Sequence, residues 1–199
     1  MADFSKPLPS GPELFEARAG TDDPVARAEA GARVATLLVR GTRDAHDEGA
    51  VERIVALADD QGLDLLAELW AGAPSDSLAG VLWRLYVLRT WVRRDPATAA
   101  SEFDAGRRLV PVAEVVAGVV DPPGPTEVVA LVDQVLRGVV TGDLADTLDR
   151  AAAFAAIVGV GRAAAGDGGP AEATSAARLS DTAAALERAA AAERLGELH

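Results

Sequence analysis

Apolar residues recur along this chain with the period of a helix. Asp23 is a candidate N-cap and Pro24 suits a first helical position. Val25, Ala28, Ala32, Ala35, Leu38 and Val39 then share one face, and Gly41 closes the segment. A second helix is predicted over residues 48–60, with Val51, Ile54, Val55 and Ala58 inward and Gly62 as its stop. Leu63, Leu65, Leu66, Leu69 and Trp70 keep the spacing until Gly72-Ala73-Pro74 ends it. Ser75 and Asp76 would cap the most distinctive helix, near residues 77–94. There Leu78, Val81, Leu82, Trp83, Leu85, Tyr86, Val87, Leu88 and Trp91 put apolar groups on nearly every face. That pattern belongs to a helix enclosed by others, so this one is expected to be central.

Asp95-Pro96 opens a short helix to about residue 105. Residues 109–120 are ambiguous. Their β-branched run suits a strand, whereas Ala113, Glu114 and Ala117 favour a helix. Asp121-Pro122-Pro123-Gly124-Pro125 is a loop, and residues 126–140 read as a helix. Thr141-Gly142-Asp143 caps the next helix, which runs to about residue 165. Gly166 to Pro170 is a turn. An alanine-rich helix continues to about residue 195, with a break conceivable at Ser180-Asp181. Too few segments alternate with period two to build a sheet. The expected fold is all-α: a single bundle of about seven to nine helices over residues 23–199. Residues 1–22, with Pro7, Pro9, Gly11, Pro12 and Gly20, read as an irregular arm whose Phe4, Leu8, Leu14 and Phe15 could dock on the body or on a partner.

The leucine-rich stretch from Leu82-Trp83-Arg84-Leu85-Tyr86-Val87-Leu88-Arg89 to Asp95-Pro96, with the loop at Asp121–Pro125, resembles all-helical proteins of actinobacteria that have no assigned activity. The resemblance spans roughly residues 70–140. It implies a helical fold and carries no site with it.

Composition narrows the chemistry. The chain has 199 residues, 49% of them apolar, which suffices for a core without a disulfide or metal staple. Nineteen basic residues against 31 acidic ones give a net charge of −12. That field repels phosphate backbones and anionic lipid, so neither nucleic acid nor membrane is expected as a partner. A helix-turn-helix over residues 112–138 is discounted because its second helix has no basic face. The longest apolar stretch, Ala151 to Gly161, lies between Arg150 and Arg162 and is too short to span a bilayer. No signal-like apolar run occurs in residues 1–20, so the cytoplasm is the expected compartment. Arginine almost wholly replaces lysine, asparagine is absent and alanine abounds, as expected of a high-GC bacterium.

Several reaction classes lose their reagents. There is no cysteine, and the single lysine, Lys6, lies in the proline-rich arm, so P-loop, kinase and Schiff-base chemistry have no lysine to use. His46 and His199 are the only histidines, and no Gly-x-Ser-x-Gly is present. Gly159-Val160-Gly161-Arg162-Ala163-Ala164 imitates a dinucleotide fingerprint, but a helical pattern precedes it and no strand follows. The glycines are better explained by close helix packing. Asp44, His46, Asp47 and Glu48 could hold a divalent cation, or simply complement a helix dipole. Asp60, Asp64 and Glu68 form an i, i+4, i+8 set that Gly62 interrupts. Asp143, Asp146 and Asp149 share one helix face. They are the candidates for a carboxylate-based, divalent-metal-dependent hydrolase, though the Glu-x-x-Glu pairs of helical pyrophosphohydrolases are missing and a solvated face is simpler. No catalytic residue, metal site or cofactor is assigned.

Three functional readings remain. The first is a non-catalytic helical protein acting through protein–protein interaction or as a homo-oligomer. Its surface would be the stripe of Leu179, Ala183, Leu186 and Ala190, although that stripe could equally close the chain's own bundle. The second is a small-molecule domain for an anionic ligand, with Trp83, Arg84, Tyr86, Arg89 and Trp91 as its binding residues. Between Arg84 and Arg108 six basic residues face three acidic ones, and an enclosed Arg84 must meet a carboxylate or a bound anion. The third is the metal-dependent hydrolase.

Overall fold

The computed structural model describes residues 24–41, 63–110, 121–137, 143–165 and 169–199. Among them are seven helices and no strand. They are α1 (Pro24–Arg40), α2 (Leu63–Trp70), α3 (Leu78–Arg94), α4 (Pro96–Leu109), α5 (Pro125–Leu136), α6 (Leu144–Ala165) and α7 (Pro170–Leu195). The protein is all-α. The predicted helix at 48–60, most of the ambiguous stretch at 109–120, the arm at 1–22 and the His46 cluster lie outside the described residues.

Local signals set the helix ends. Ser77, rather than Ser75 or Asp76, is the N-cap of α3, and its hydroxyl accepts from the Gly80 N–H at 3.1 Å. Gly80 has to be small, because a Cβ there would stand 1.9 Å from the Pro74 carbonyl oxygen. The 71–77 turn therefore lies directly on the first turn of α3. Asp95 caps α4 by accepting from Thr98 N–H at 3.2 Å, with Pro96 as the first residue of the helix. Helix α4 runs on to Leu109, one turn past the expected end. Helix α7 is unbroken at Ser180-Asp181. The Ser180 hydroxyl donates back to the Ala176 carbonyl at 3.3 Å, and the flanking alanines carry the helix through. It ends at Gly196, whose φ of 73° makes the left-handed cap.

Two groups of helices share one core. In the first, α6 and α7 form an antiparallel hairpin, and α4 packs on another side of α6. Residues 102 and 162, and 106 and 157, meet across the α4–α6 contact. In the second, α3 packs on α5, α1 and α2. Phe103 of α4 stacks on Phe154 of α6 with centroids 5.5 Å apart. The tail after Gly196 turns back between the groups. Leu198 is buried, and the His199 carbonyl accepts the Leu78 N–H at 2.7 Å, satisfying a free donor at the start of α3. Arg40 of α1 binds both carboxylate oxygens of Glu193 and donates to the Leu198 carbonyl at 3.1 Å. The Glu193 carboxylate holds the Arg40 pKa above its ordinary value.

The aromatic helix is enclosed only in part. Leu78 to Leu82 are buried all round, but from Trp83 onward one side of α3 opens, and Val87 is 44% exposed. Helix α6 is at least as central, with Ala151 to Ala155 buried without a gap. Small side chains let α4 and α7 approach α6 closely, and the open side of α3 is left facing α7.

Candidate functional site

A groove of about 490 Å³ lies between α3, the end of α6 and the first half of α7. Trp83, Arg84, Val87, Leu88 and Trp91 line it from α3, Arg162 from α6, and Ser175, Arg178, Leu179, Asp181 and Thr182 from α7. Helical periodicity selects the α3 residues. At about 100° per residue, Val87, Leu88 and Trp91 fall within about 60° of Arg84. Tyr86 and Arg89 fall about 160–140° away on the other side. The groove therefore joins three of the five residues singled out from the sequence and leaves two outside.

Those two are engaged elsewhere. Arg89 is buried, and its Nε donates to Asp133 of α5, an internal ion pair that also draws Arg93 to within 4.0 Å. The Tyr86 hydroxyl donates to Asp64 of α2. Burial raises the Tyr86 pKa above the ordinary phenol value, and the hydrogen bond to the Asp64 carboxylate raises it further. Tyr86 still touches the groove wall indirectly, because its ring stacks on Trp83 at 5.8 Å with 21° between the planes.

Arg84 carries the unresolved charge. It is half-buried, and its Nη1 donates to the Gly80 carbonyl one turn back at 2.9 Å. Among the described residues it meets no carboxylate. Arg178, exposed on α7, meets none either. Arg162 is different. Its Nε and Nη2 form a fork on Glu102 of α4, at 2.9 and 2.8 Å, and its Nη1 donates to the Ser175 hydroxyl at 2.8 Å. Its guanidinium also lies 4.7 Å from the Trp91 ring centre. This network joins α4, α6 and α7 and holds one tryptophan of the groove in place. No sequence signal marked Arg162, Arg178 or Ser175, since their convergence depends on the antiparallel pairing of α6 with α7.

Of the two leading glycines of the imitation fingerprint, Gly161 is required by close helix packing, whereas a Cβ on Gly159 would make only ordinary contacts. A Cβ on Gly161 would come within 1.8 Å of the Glu102 carbonyl oxygen. Gly106 on the facing helix is equally constrained, at 2.0 Å from the Ile157 carbonyl oxygen. The close α4–α6 approach is what brings Glu102 to Arg162.

The acidic candidates of α6 are occupied, and Asp60 lies outside the described residues. Asp143 caps α6 by accepting from Ala145 N–H at 2.9 Å. Asp146 and Asp149 both accept from Arg194, at 3.1 and 2.6 Å. The two carboxylates, Asp149 foremost, raise the Arg194 pKa. Among the described residues no group of three or more His, Asp or Glu is placed to hold a metal ion. Among the same residues no helix is long and apolar enough to cross a membrane. The stripe of Leu179, Ala183, Leu186 and Ala190 is buried within the chain's own bundle, where α7 packs on α6. A protein partner would have to use another surface.

No family model matches the chain, and no curated protein or solved structure matches it significantly.

Proposed function

We propose that this chain is a non-catalytic cytoplasmic binding protein whose groove between α3 and α7 takes an anionic small molecule. One observation carries the reading. Arg84 stands half-buried beside Trp83 and Trp91 without a carboxylate partner among the described residues, at the wall of a ligand-sized groove. A desolvated guanidinium normally finds a counter-charge, and its planar fork suits a carboxylate or phosphate. The tryptophans, Leu88 and Leu179 supply an apolar wall. Each methylene a ligand buries against it is worth about 0.8 kcal/mol. Tryptophan emission tests the proposal, because two of the chain's three tryptophans line the groove. Anionic amphiphiles should shift the emission saturably, and their neutral analogues should not. A flat response across carboxylates, sulfonates and phosphates would remove the basis for the reading.

A second reading, a protein partner, draws on Val87, which is 44% exposed at the groove. Light scattering decides whether the partner is a second copy. A strict monomer that also recovers no partner in pulldown leaves the small-ligand reading alone.

A further inference from the structure

The charges around the groove restrict what kind of anion fits. Three arginines and one aspartate line it, but they do not count equally. Glu102 neutralises Arg162 through two hydrogen bonds, and Ser175 takes a third N–H. Arg162 has no fork left to offer. What remains is Arg84 and Arg178 against Asp181, a formal excess of one positive charge. A phosphate monoester, doubly charged near neutral pH, would be left with one charge unbalanced and would face the Asp181 carboxylate. A singly charged head group closes the balance.

Arg84 has the geometry for it. Its Nη1 is tied to the Gly80 carbonyl, while Nε and Nη2 make no hydrogen bond among the described residues. Those two N–H groups form the side-on edge that holds both oxygens of one carboxylate. Val87, Leu88, Trp91 and Leu179 form the apolar part of the wall, beside the hydroxyls of Ser175 and Thr182.

We infer that the groove is selective for a monocarboxylate with an apolar body, its head group on Arg84 and Arg178 and its chain along Trp91 and Leu179. The inference rests on the anion-binding reading above and specifies the charge and shape of the ligand.

The test uses the full chain at about pH 8, titrated by calorimetry and tryptophan emission with octanoate, octyl phosphate, octylamine and phenylalanine. Octanoate is expected to bind one to one, at least about tenfold tighter than octyl phosphate or octylamine. Lengthening the chain by one methylene should tighten it about three- to fourfold until the groove is full. Arg84→Met, and independently Arg178→Met, should weaken octanoate about tenfold or more with little change in Tm. Two variants guard against one that fails to fold. Glu102→Gln frees Arg162, and should improve octyl phosphate relative to octanoate by about threefold or more.

The outcomes separate the two levels of the argument. Octyl phosphate binding as tightly as octanoate in the unaltered protein, with loss in Arg84→Met, overturns the monocarboxylate and keeps the anion groove. Phenylalanine binding more tightly than octanoate does the same, and makes Asp181 an ammonium partner. Octanoate binding unchanged in both arginine variants, or no binding by any probe at millimolar concentration, overturns the inference and the groove together.

Discussion

Gly159 and Gly161 sit two residues apart on α6, and alanine at each should have opposite effects. In an unobstructed helix, alanine is more stable than glycine by about 1 kcal/mol. At Gly159 the new Cβ would lie 3.4 Å from the Leu179 Cβ and 3.5 Å from the Ala176 carbonyl oxygen, ordinary contacts. Gly159→Ala should therefore stabilise the protein by up to about 1 kcal/mol. At Gly161 the Cβ would lie 1.8 Å from the Glu102 carbonyl oxygen and 2.8 Å from the Gly106 nitrogen. Both are backbone atoms, so no rotamer change relieves the clash. Helix α4 would have to retreat by about 1.5 Å to regain van der Waals distance. That movement loosens the Phe103–Phe154 stack and stretches the Glu102–Arg162 fork. Overpacking costs about 1–3 kcal/mol, and weakening a largely buried ion pair adds to it, so a net loss of about 2–4 kcal/mol is expected. For a chain of this size that lowers Tm by about 5–15 °C. Thermal and urea unfolding followed by circular dichroism at the helix band read both variants. An unchanged or raised Tm for Gly161→Ala would refute the close α4–α6 packing. Equal shifts for the two variants would refute the distinction between the glycines.

Three further outcomes follow from other contacts. Tyr86 is the only tyrosine, so its ultraviolet titration reads one group, and the midpoint should lie above the ordinary phenol value of about 10. The folded-state pKa is raised, so the stabilisation is complete below the unfolded value and disappears as pH rises through the folded one. Asp64→Asn should bring the midpoint down, and no difference between the two proteins would count against the Tyr86–Asp64 hydrogen bond. Ser77→Ala removes the α3 cap and should cost about 1 kcal/mol in urea unfolding, whereas Ser75→Ala, outside the cap position, should cost much less. Leu198→Ala opens a cavity where the tail returns to α3 and should cost about 2–3 kcal/mol. A cost near zero would mean that the tail does not dock.

Much of the fold was legible because helices announce themselves locally. Pro24, Pro96 and the Asp121–Pro125 loop mark boundaries through backbone chemistry that acts within a few residues. The cap of α3 was misplaced by one or two positions because Ser75, Asp76 and Ser77 are all good caps, and only the Pro74–Gly80 contact selects the third. Trp83, Arg84 and Trp91, singled out in the sequence because charge inside an apolar run is visible in one dimension, line one groove. Tyr86 and Arg89 came with them because the stretch was read as a segment, although the helical period already places them on the other side.

The pattern of the chain by itself determined the class of structure, the helical reading of the Gly-x-Gly stretch and the absence of any thiol. Each depends on residue type or on spacing within one helix. Which arginines meet a carboxylate among the described residues was decided only by tertiary structure. Arg84, Arg89, Arg162 and Arg178 are alike in sequence, yet Asp133 and Glu102 from other helices hold Arg89 and Arg162, while Arg84 and Arg178 line the groove with no carboxylate partner among the described residues. A charge is matched or left open by whatever lies within a few ångströms of it, and those neighbours come from residues 44 to 60 positions away in the chain.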